Sequence, residues 1–182
     1  KKFSNYNLSI GIGIPGVISK KNGILSHSTI LSHNGLKIKK YYDSIFKKNY
    51  AIENDANCFA LAESILGAGK KHSTVFGLIL GTGTGSGIIF HQEIYNGANN
   101  IAGELGHSII EKNGELCFCG KKGSLNAYIS GTGLENLIFK NTKKHISAKS
   151  FLSKNNFSKH DKILINTYLD YFTTAISNII LI

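Results

Sequence analysis

The sequence predicts an α/β protein, and three observations carry that expectation. A short apolar strand, Tyr50-Ala51-Ile52, runs through Glu53-Asn54-Asp55 straight into a helical pattern with Phe59, Ala60, Ala62 and Ile65-Leu66 on one face. A continuous apolar strand, Val75–Leu80, leads through the glycine-rich run Gly81–Gly87 into a second strand, Ile88–Phe90. The chain then closes on a helix with Leu164, Tyr168, Phe172, Ile176 and Ile180 at steps of four, the spacing of a core-facing stripe. A chain of 182 residues can bury roughly 70% of its unfolded surface, enough for one core or two small lobes.

In order, Leu8–Ile14 alternates as a strand and ends at the turn Pro15-Gly16. Gly23–Leu36 is polar and turn-rich, with no assignment. Lys39–Lys48 reads as a helix with Tyr42, Ile45 and Phe46 on one side. At the end of the Tyr50–Ile52 strand, Asn54 or Asp55 begins the next helix, where its side chain can accept from first-turn N–H groups; Gly67 stops that helix. The plain reading of Asp55 is an N-cap worth about 1 kcal/mol. The sharper one is a catalytic base at the mouth of a cleft. Beyond the glycine-rich hairpin, Tyr95–Gly103 is a loop, followed by Glu104-Leu-Gly-His107, a strand at Ser108–Ile110 and a cysteine loop. Helices are expected at Leu125–Ile129, at Leu134–Phe139 and from about Asp161. Both ends read as cut, the last inside the apolar run Ile179–Ile182.

Composition narrows the function. Net charge is +10, yet all 21 basic residues are Lys, scattered in ones and twos. Without arginine's planar fork, bidentate base and phosphate contacts are lost, so the charge argues for no nucleic-acid partner. No apolar run is long enough to span a bilayer and no basic-then-apolar leader opens the chain, which predicts a cytoplasmic protein with no membrane partner. Cys58, Cys117 and Cys119 cannot make a disulfide framework, which suits a reducing compartment, and Cys117-x-Cys119 suits a metal better than a bridge.

Three stretches could carry chemistry. Gly81-Thr82-Gly83-Thr84-Gly85-Ser86-Gly87 sits between strands; its glycines leave N–H groups open to an anion, and its hydroxyls add donors. A glycine-rich hairpin turn is the plain alternative. Glu104 and His107, three apart, share a face if that turn is helical. His107, Cys117 and Cys119 are three ligands of a type that suits tetrahedral zinc; set against that, a lone His is an ordinary core imidazole.

Together these motifs resemble the ROK family of sugar kinases. Gly11-Ile-Gly-Ile-Pro-Gly16, Glu53-Asn-Asp-Ala-Asn57, Gly81–Gly87, Gly103-Glu-Leu-Gly-His107 and Cys117-Phe-Cys-Gly-Lys-Lys-Gly123 occur in that family's order. The stretch from Asn54 to Glu63 is most similar to bacterial N-acetylglucosamine kinases, while the ten-residue step from His107 to Cys117 looks more like the glucokinase and N-acetylmannosamine kinase branches. The resemblance implies an actin-like (ribonuclease H-like) ATPase fold. Residues 1–54 would be the remnant of the smaller N-terminal lobe and 55–182 the larger lobe. It also implies phosphorylation of a hexose 6-hydroxyl by ATP with Mg²⁺, and it allows a homodimer. Asp55 would take the hydroxyl proton, Asn54, Glu104, His107 and Asn126 would hold sugar hydroxyls, and Gly81–Gly87 would cradle ATP phosphates. His107, Cys117 and Cys119 would ligate a structural zinc.

Two positions depart from the family pattern. Ser124 stands where the last cysteine of the zinc loop falls, and Asn126 where a glutamate falls. A serine hydroxyl is a poor zinc ligand, so a three-ligand site of reduced affinity is expected. The family's first phosphate loop would precede Lys1 and its adenosine-side glycines would follow Ile182. Weak sugar binding without phosphorylation is therefore the expectation for residues 1–182 alone. A sugar-sensing regulator of the same family and an inactive remnant of the kinase are the alternatives.

Overall fold

The structure, a computed structural model, describes residues 9–28, 30–46 and 50–181. Leu8, Lys47, Lys48 and Ile182, which end elements expected from the sequence, lie outside the described residues. In chain order the strands and helices are β1 (Ile10–Ile14), β2 (Val17–Ile18), β3 (Leu25–Ser26), α1 (Ile38–Phe46), β4 (Tyr50–Asn54), α2 (Asp55–Ile65), β5 (Thr74–Leu80), β6 (Thr84–Phe90), β7 (Glu93–Ile94), α3 (Asn126–Ile129), α4 (Gly131–Thr142), α5 (Ala148–Leu152) and α6 (Lys159–Ile180).

The chain divides into two compact units. One holds the residues up to Gly77 together with Gly87–Gly103; the other holds Leu78–Ser86 and Glu104 onward. Two of the three breaks fall inside β5 and β6, and the third lies between Gly103 and Glu104. β4 and α2 lie in the same unit.

In the first unit β1 and β4 pair in parallel, with Ile10 opposite Tyr50 and Ile14 opposite Asn54. β2 and β3 form a small antiparallel ladder. The strand order β5-β6-β7 makes a third sheet. β7 was not legible in the sequence because a single pair of residues, His91-Gln92, turns β6 back on itself. Both have positive φ (49° and 63°), as a type I′ hairpin requires, but neither is a residue that advertises one. Helix α2 packs on this sheet at two glycines. A Cβ on Gly77 would stand 2.5 Å from the Ala60 Cβ, and one on Gly87 2.6 Å from Asn57 Oδ1. Only bare backbone lets the helix come this close, and Ala60 is fully buried there.

The second unit is helical. Leu125, Tyr128, Ile129 and Ala175 form one buried cluster, and Leu134, Ile138, Phe151 and Leu164 another. α6 serves both, and the expected stripe holds from Leu164 to Ile176, while Ile180 is 77% exposed. Its start is a capping box: Ser158 Oγ accepts the Asp161 N–H, and Asp161 accepts the Ser158 N–H. α4 begins earlier than its apolar pattern suggested, because buried Ser130 caps it ahead of two glycines that carry no hydrophobic signal. The strand expected at Ser108–Ile110 is absent among the described residues; the segment makes one bridge, Ile109 to Ser124, with no neighbouring strand to extend it.

Candidate functional site

The β4–α2 junction separates two roles that the sequence left open. Asn54, in extended backbone (φ −60°, ψ 140°), is the N-cap: its Oδ1 accepts the N–H groups of Ala56 (2.9 Å) and Asn57 (3.1 Å). Its Nδ2 donates to Gly16 O at 3.1 Å, tying the helix start to the turn after β1. Asp55 is the first helical residue and exposed, its Oδ1 touching only the adjacent Ala56 N–H (3.0 Å) among the hydrogen bonds described. The cap is therefore Asn54, and the Asp55 carboxylate stands outward at a helix N-terminus. Sequence reasoning passed over Glu53. Its Oε1 accepts the Asn54 N–H (2.8 Å) and the Asn57 Nδ2 (3.0 Å), locking the backbone on which Asp55 is mounted. The four-residue step from Glu53 to Asn57 was the available signal. Cys58, half-buried on α2, has its thiol pushed up, first by burial and then by Glu53 and Asp55.

Of the glycine-rich run, Gly81–Ser86 belongs to the second unit and Gly87 to the first. Gly87 owes its lack of side chain to α2, as described above. The turn itself is bound within its own unit. Gly81 N–H donates to Gly83 O (2.9 Å), and Thr84 N–H to Asn126 Oδ1 (2.7 Å). At the start of α4, Gly131 N–H donates to Gly81 O (2.8 Å) and Thr132 Oγ1 to Thr82 O (2.8 Å). Two of the N–H groups that the sequence offers to a phosphate are thus engaged inside the protein. Buried Ser86 accepts the Leu105 N–H at 3.3 Å, which fixes the turn leading to His107.

That turn, Leu105–His107, is a 3₁₀ helix, and it brings Glu104 and His107 together as the spacing predicted: Glu104 Oε2 lies 3.9 Å from His107 Nε2. Phe118 stands edge-on to the imidazole, ring centres 5.8 Å apart. The His107, Cys117 and Cys119 donor atoms all lie within 4.8 Å of one another. Tetrahedral zinc needs its ligand atoms about 3.5–3.8 Å apart, so the cluster is close to that geometry and slightly open. Ser124, which stands where the family pattern has a fourth cysteine, places its Oγ 3.7 Å from Cys119 Sγ. The donor set fits zinc at three positions and offers a hydroxyl at the fourth. Burial pushes the Cys117 thiol up. At Cys119 burial acts the same way, but the Lys121 N–H and hydrogen bonds from Cys117 and Ser124 outweigh it and hold that thiol below its ordinary value.

Asn126 is 6% exposed, and both ends of its amide are engaged: Oδ1 on the Thr84 N–H, and Nδ2 on Cys117 Sγ at 3.8 Å. No sequence signal marked Tyr128 or Tyr171, which fasten the cysteine loop to α3 and α6. Tyr128 OH accepts the Glu115 N–H (2.7 Å), and Tyr171 OH donates to Glu111 Oε2 (2.8 Å).

Comparison with known proteins gives this arrangement its context. The chain is 34% identical to an N-acetylgalactosamine kinase of Shewanella sp. (strain ANA-3), over 95% of its own length and 59% of that protein's. It is 38% identical to an N-acetyl-D-glucosamine kinase of Vibrio atlanticus (strain LGP32), over 69% of its length and 45% of the relative's. Among solved structures, a ROK hexokinase from Thermus thermophilus superposes with a TM-score of 0.81 at 25% identity, over 94% of this chain and 57% of that one. The chain thus spans about half the length of the relatives it matches, and it has their actin-like ATPase fold. No helix among the described residues is long and apolar enough to cross a membrane. The ROK family profile matches residues 1–182 from end to end, and the chain belongs to that family.

Proposed function

We propose that the protein carrying this chain is an ATP-dependent hexose kinase acting on the 6-hydroxyl of N-acetyl-D-glucosamine. The observation that carries the reading is the division of labour at the β4–α2 junction. Asn54 takes the capping duty, so Asp55 presents an exposed carboxylate on a backbone that Glu53 and Gly16 hold still. Phosphoryl transfer asks the protein mainly for positioning, and a carboxylate that accepts the acceptor's proton is its one chemical group. Asp55 would accept the proton of the sugar hydroxyl as that oxygen attacks the γ-phosphorus in line. Glu104 and His107, adjacent on one turn, would hold ring hydroxyls, joined by the remaining donor capacity of Asn54. The Gly81–Gly87 turn would lie along the phosphates with the donors that its internal bonds leave. Mg²⁺ arriving with ATP would neutralise charge on the transferred group. His107, Cys117 and Cys119 would hold zinc beside the sugar loop.

A coupled assay of ADP formation on the full-length protein tests the function, with N-acetylglucosamine, N-acetylgalactosamine, N-acetylmannosamine and glucose as acceptors. The expected result is sugar-dependent ADP release with the highest kcat/KM for N-acetylglucosamine. No sugar-dependent release with any of the four would overturn the reading. For the metal, elemental analysis should find less than one zinc per chain, rising to one in Ser124→Cys.

A further inference from the structure

A metal that pins a cysteine loop lends its binding free energy to the fold, so a loop that folds without the ion needs restraints of its own. Here the loop makes them. Ile110 N–H donates to Gly123 O (2.9 Å), Gly123 N–H to Glu115 O (2.7 Å), Cys117 N–H to Lys121 O (2.8 Å) and Leu125 N–H to Ser108 O (2.8 Å). Tyr128 and Tyr171 fasten the same loop from two helices. The two thiols are also met by side chains of the protein: Ser124 Oγ faces Cys119 Sγ and Asn126 Nδ2 faces Cys117 Sγ.

Asn126 does more than fill space beside a thiol. The orientation of its amide is fixed, because the Thr84 N–H needs an acceptor and only Oδ1 can provide one. That leaves Nδ2, a donor, toward sulfur, a weak acceptor. A single buried side chain therefore joins the turn after β5 to the cysteine loop, across 42 residues of sequence on one side and nine on the other. Gly83 makes room for the contact: a Cβ there would lie 3.3 Å from Asn126 Oδ1.

We propose that Asn126 is a positioning residue that couples the glycine turn to the cysteine loop, and that this loop keeps its fold with no metal bound. The meaning of the coupling, a sugar loop in register with a phosphate turn, rests on the kinase reading; the link itself does not.

Amide hydrogen exchange on the chain, followed residue by residue by NMR, tests both parts. Asn126→Ala removes both bonds, whereas Asn126→Asp keeps an acceptor for Thr84 and removes the donor to Cys117. The Thr84 amide should exchange about tenfold faster in Asn126→Ala and stay within about twofold of the parent in Asn126→Asp, the loss expected for one hydrogen bond. The Cys117 amide should exchange faster in both variants, with Leu164 in the distant core as the internal control. Adding a chelator to the parent chain should leave the Cys117 and Gly123 amides unchanged. An unaltered Thr84 amide in Asn126→Ala, equal loss in both variants, or a Cys117 amide insensitive to both would overturn the link. Should Asn126→Ala fail to fold, Asn126→Asp decides alone: protected Thr84 with a faster Cys117 supports the link, and any other pattern defeats it. Loop amides that speed up tenfold with chelator would overturn the metal-free fold. None of these readouts uses sugar, nucleotide or turnover, so an absence of kinase activity would leave the test intact.

Discussion

The β4–α2 junction and the cysteine loop are held in opposite ways. Beyond the β1–β4 ladder, the side-chain restraints at the junction are mostly local: the bonds made by Asn54 and Glu53 join residues one to four apart, and the tie to Gly16 is the exception. In the loop the side-chain restraints from outside it reach further along the chain: Asn126 meets Cys117 across nine residues, Tyr128 meets Glu115 across 13 and Tyr171 reaches Glu111 across 60. A local junction survives changes elsewhere and fails when its own residues change. A loop tied at a distance depends on helices that carry no chemistry. On the kinase reading, the difference separates a residue that acts from residues that hold.

The largest effect should follow from a change that leaves the fold alone. On the kinase reading, Asp55→Asn in the full-length protein should lower turnover by about 10²–10⁴ while sugar affinity is kept, because the side chain loses its proton acceptor but not its shape. Isothermal calorimetry with N-acetylglucosamine and a coupled ADP assay would check the two halves. Undiminished turnover would make Asp55 an ordinary first-turn residue.

This junction was also the most legible part of the sequence. An apolar strand running through Asn-Asp into a helical period announces itself, because caps and periodicity act over a few residues. The choice between Asn54 and Asp55 as cap was not legible, since either side chain can accept those N–H groups. The glycine run was visible too, but its internal bonds were not. Nothing in the sequence near Thr84 points to Asn126, and nothing around Tyr128 points to Glu115. Those contacts exist only once α3 and α6 have packed. The same reasoning explains the strand wrongly expected at Ser108–Ile110: the apolar pair Ile109-Ile110 is local, but among the described residues no partner strand completes it.

Next in size is a change in the loop that touches no candidate ligand. Gly123 has φ +77°, and a Cβ there would collide with Glu111 O. Gly123→Ala should destabilise the chain by about 2–5 kcal/mol, from backbone strain and overpacking together, read as a shift in urea midpoint. Asn54→Ala should cost less, about 1–2 kcal/mol, the usual loss of an N-cap. If Asn54→Ala proved the more damaging of the two, the contrast between local and distant restraint would be wrong.

The smallest effect tests local capping a second time, at α6. The Lys154 ammonium, with the Ser158 N–H, holds the Asp161 carboxyl at about 2 against an ordinary 3.8. Because the folded value is the lower one, the stabilisation is complete above about pH 4 and fades as the pH falls toward 2. The melting temperature should therefore drop over that window. In Lys154→Met the drop should be shallower, as the first-named cause of the shift is gone. Parallel melting curves from pH 5 to pH 2 for the two proteins would decide it.

Gly114 and Gly123 carry a lesson for reading variant maps. A side chain at Gly114 would run into the Tyr128 hydroxyl, and one at Gly123 into Glu111. In a saturation library selected for growth on the sugar, Gly123 should accept glycine alone and Gly114 little else, a profile as narrow as the kinase reading expects of Asp55. Scored by tolerance only, three positions would look like one class, though only Asp55 is proposed to meet a reactant. Selecting the library first for soluble protein and then for growth would part them, because Asp55 variants pass the first gate and the two glycine positions do not.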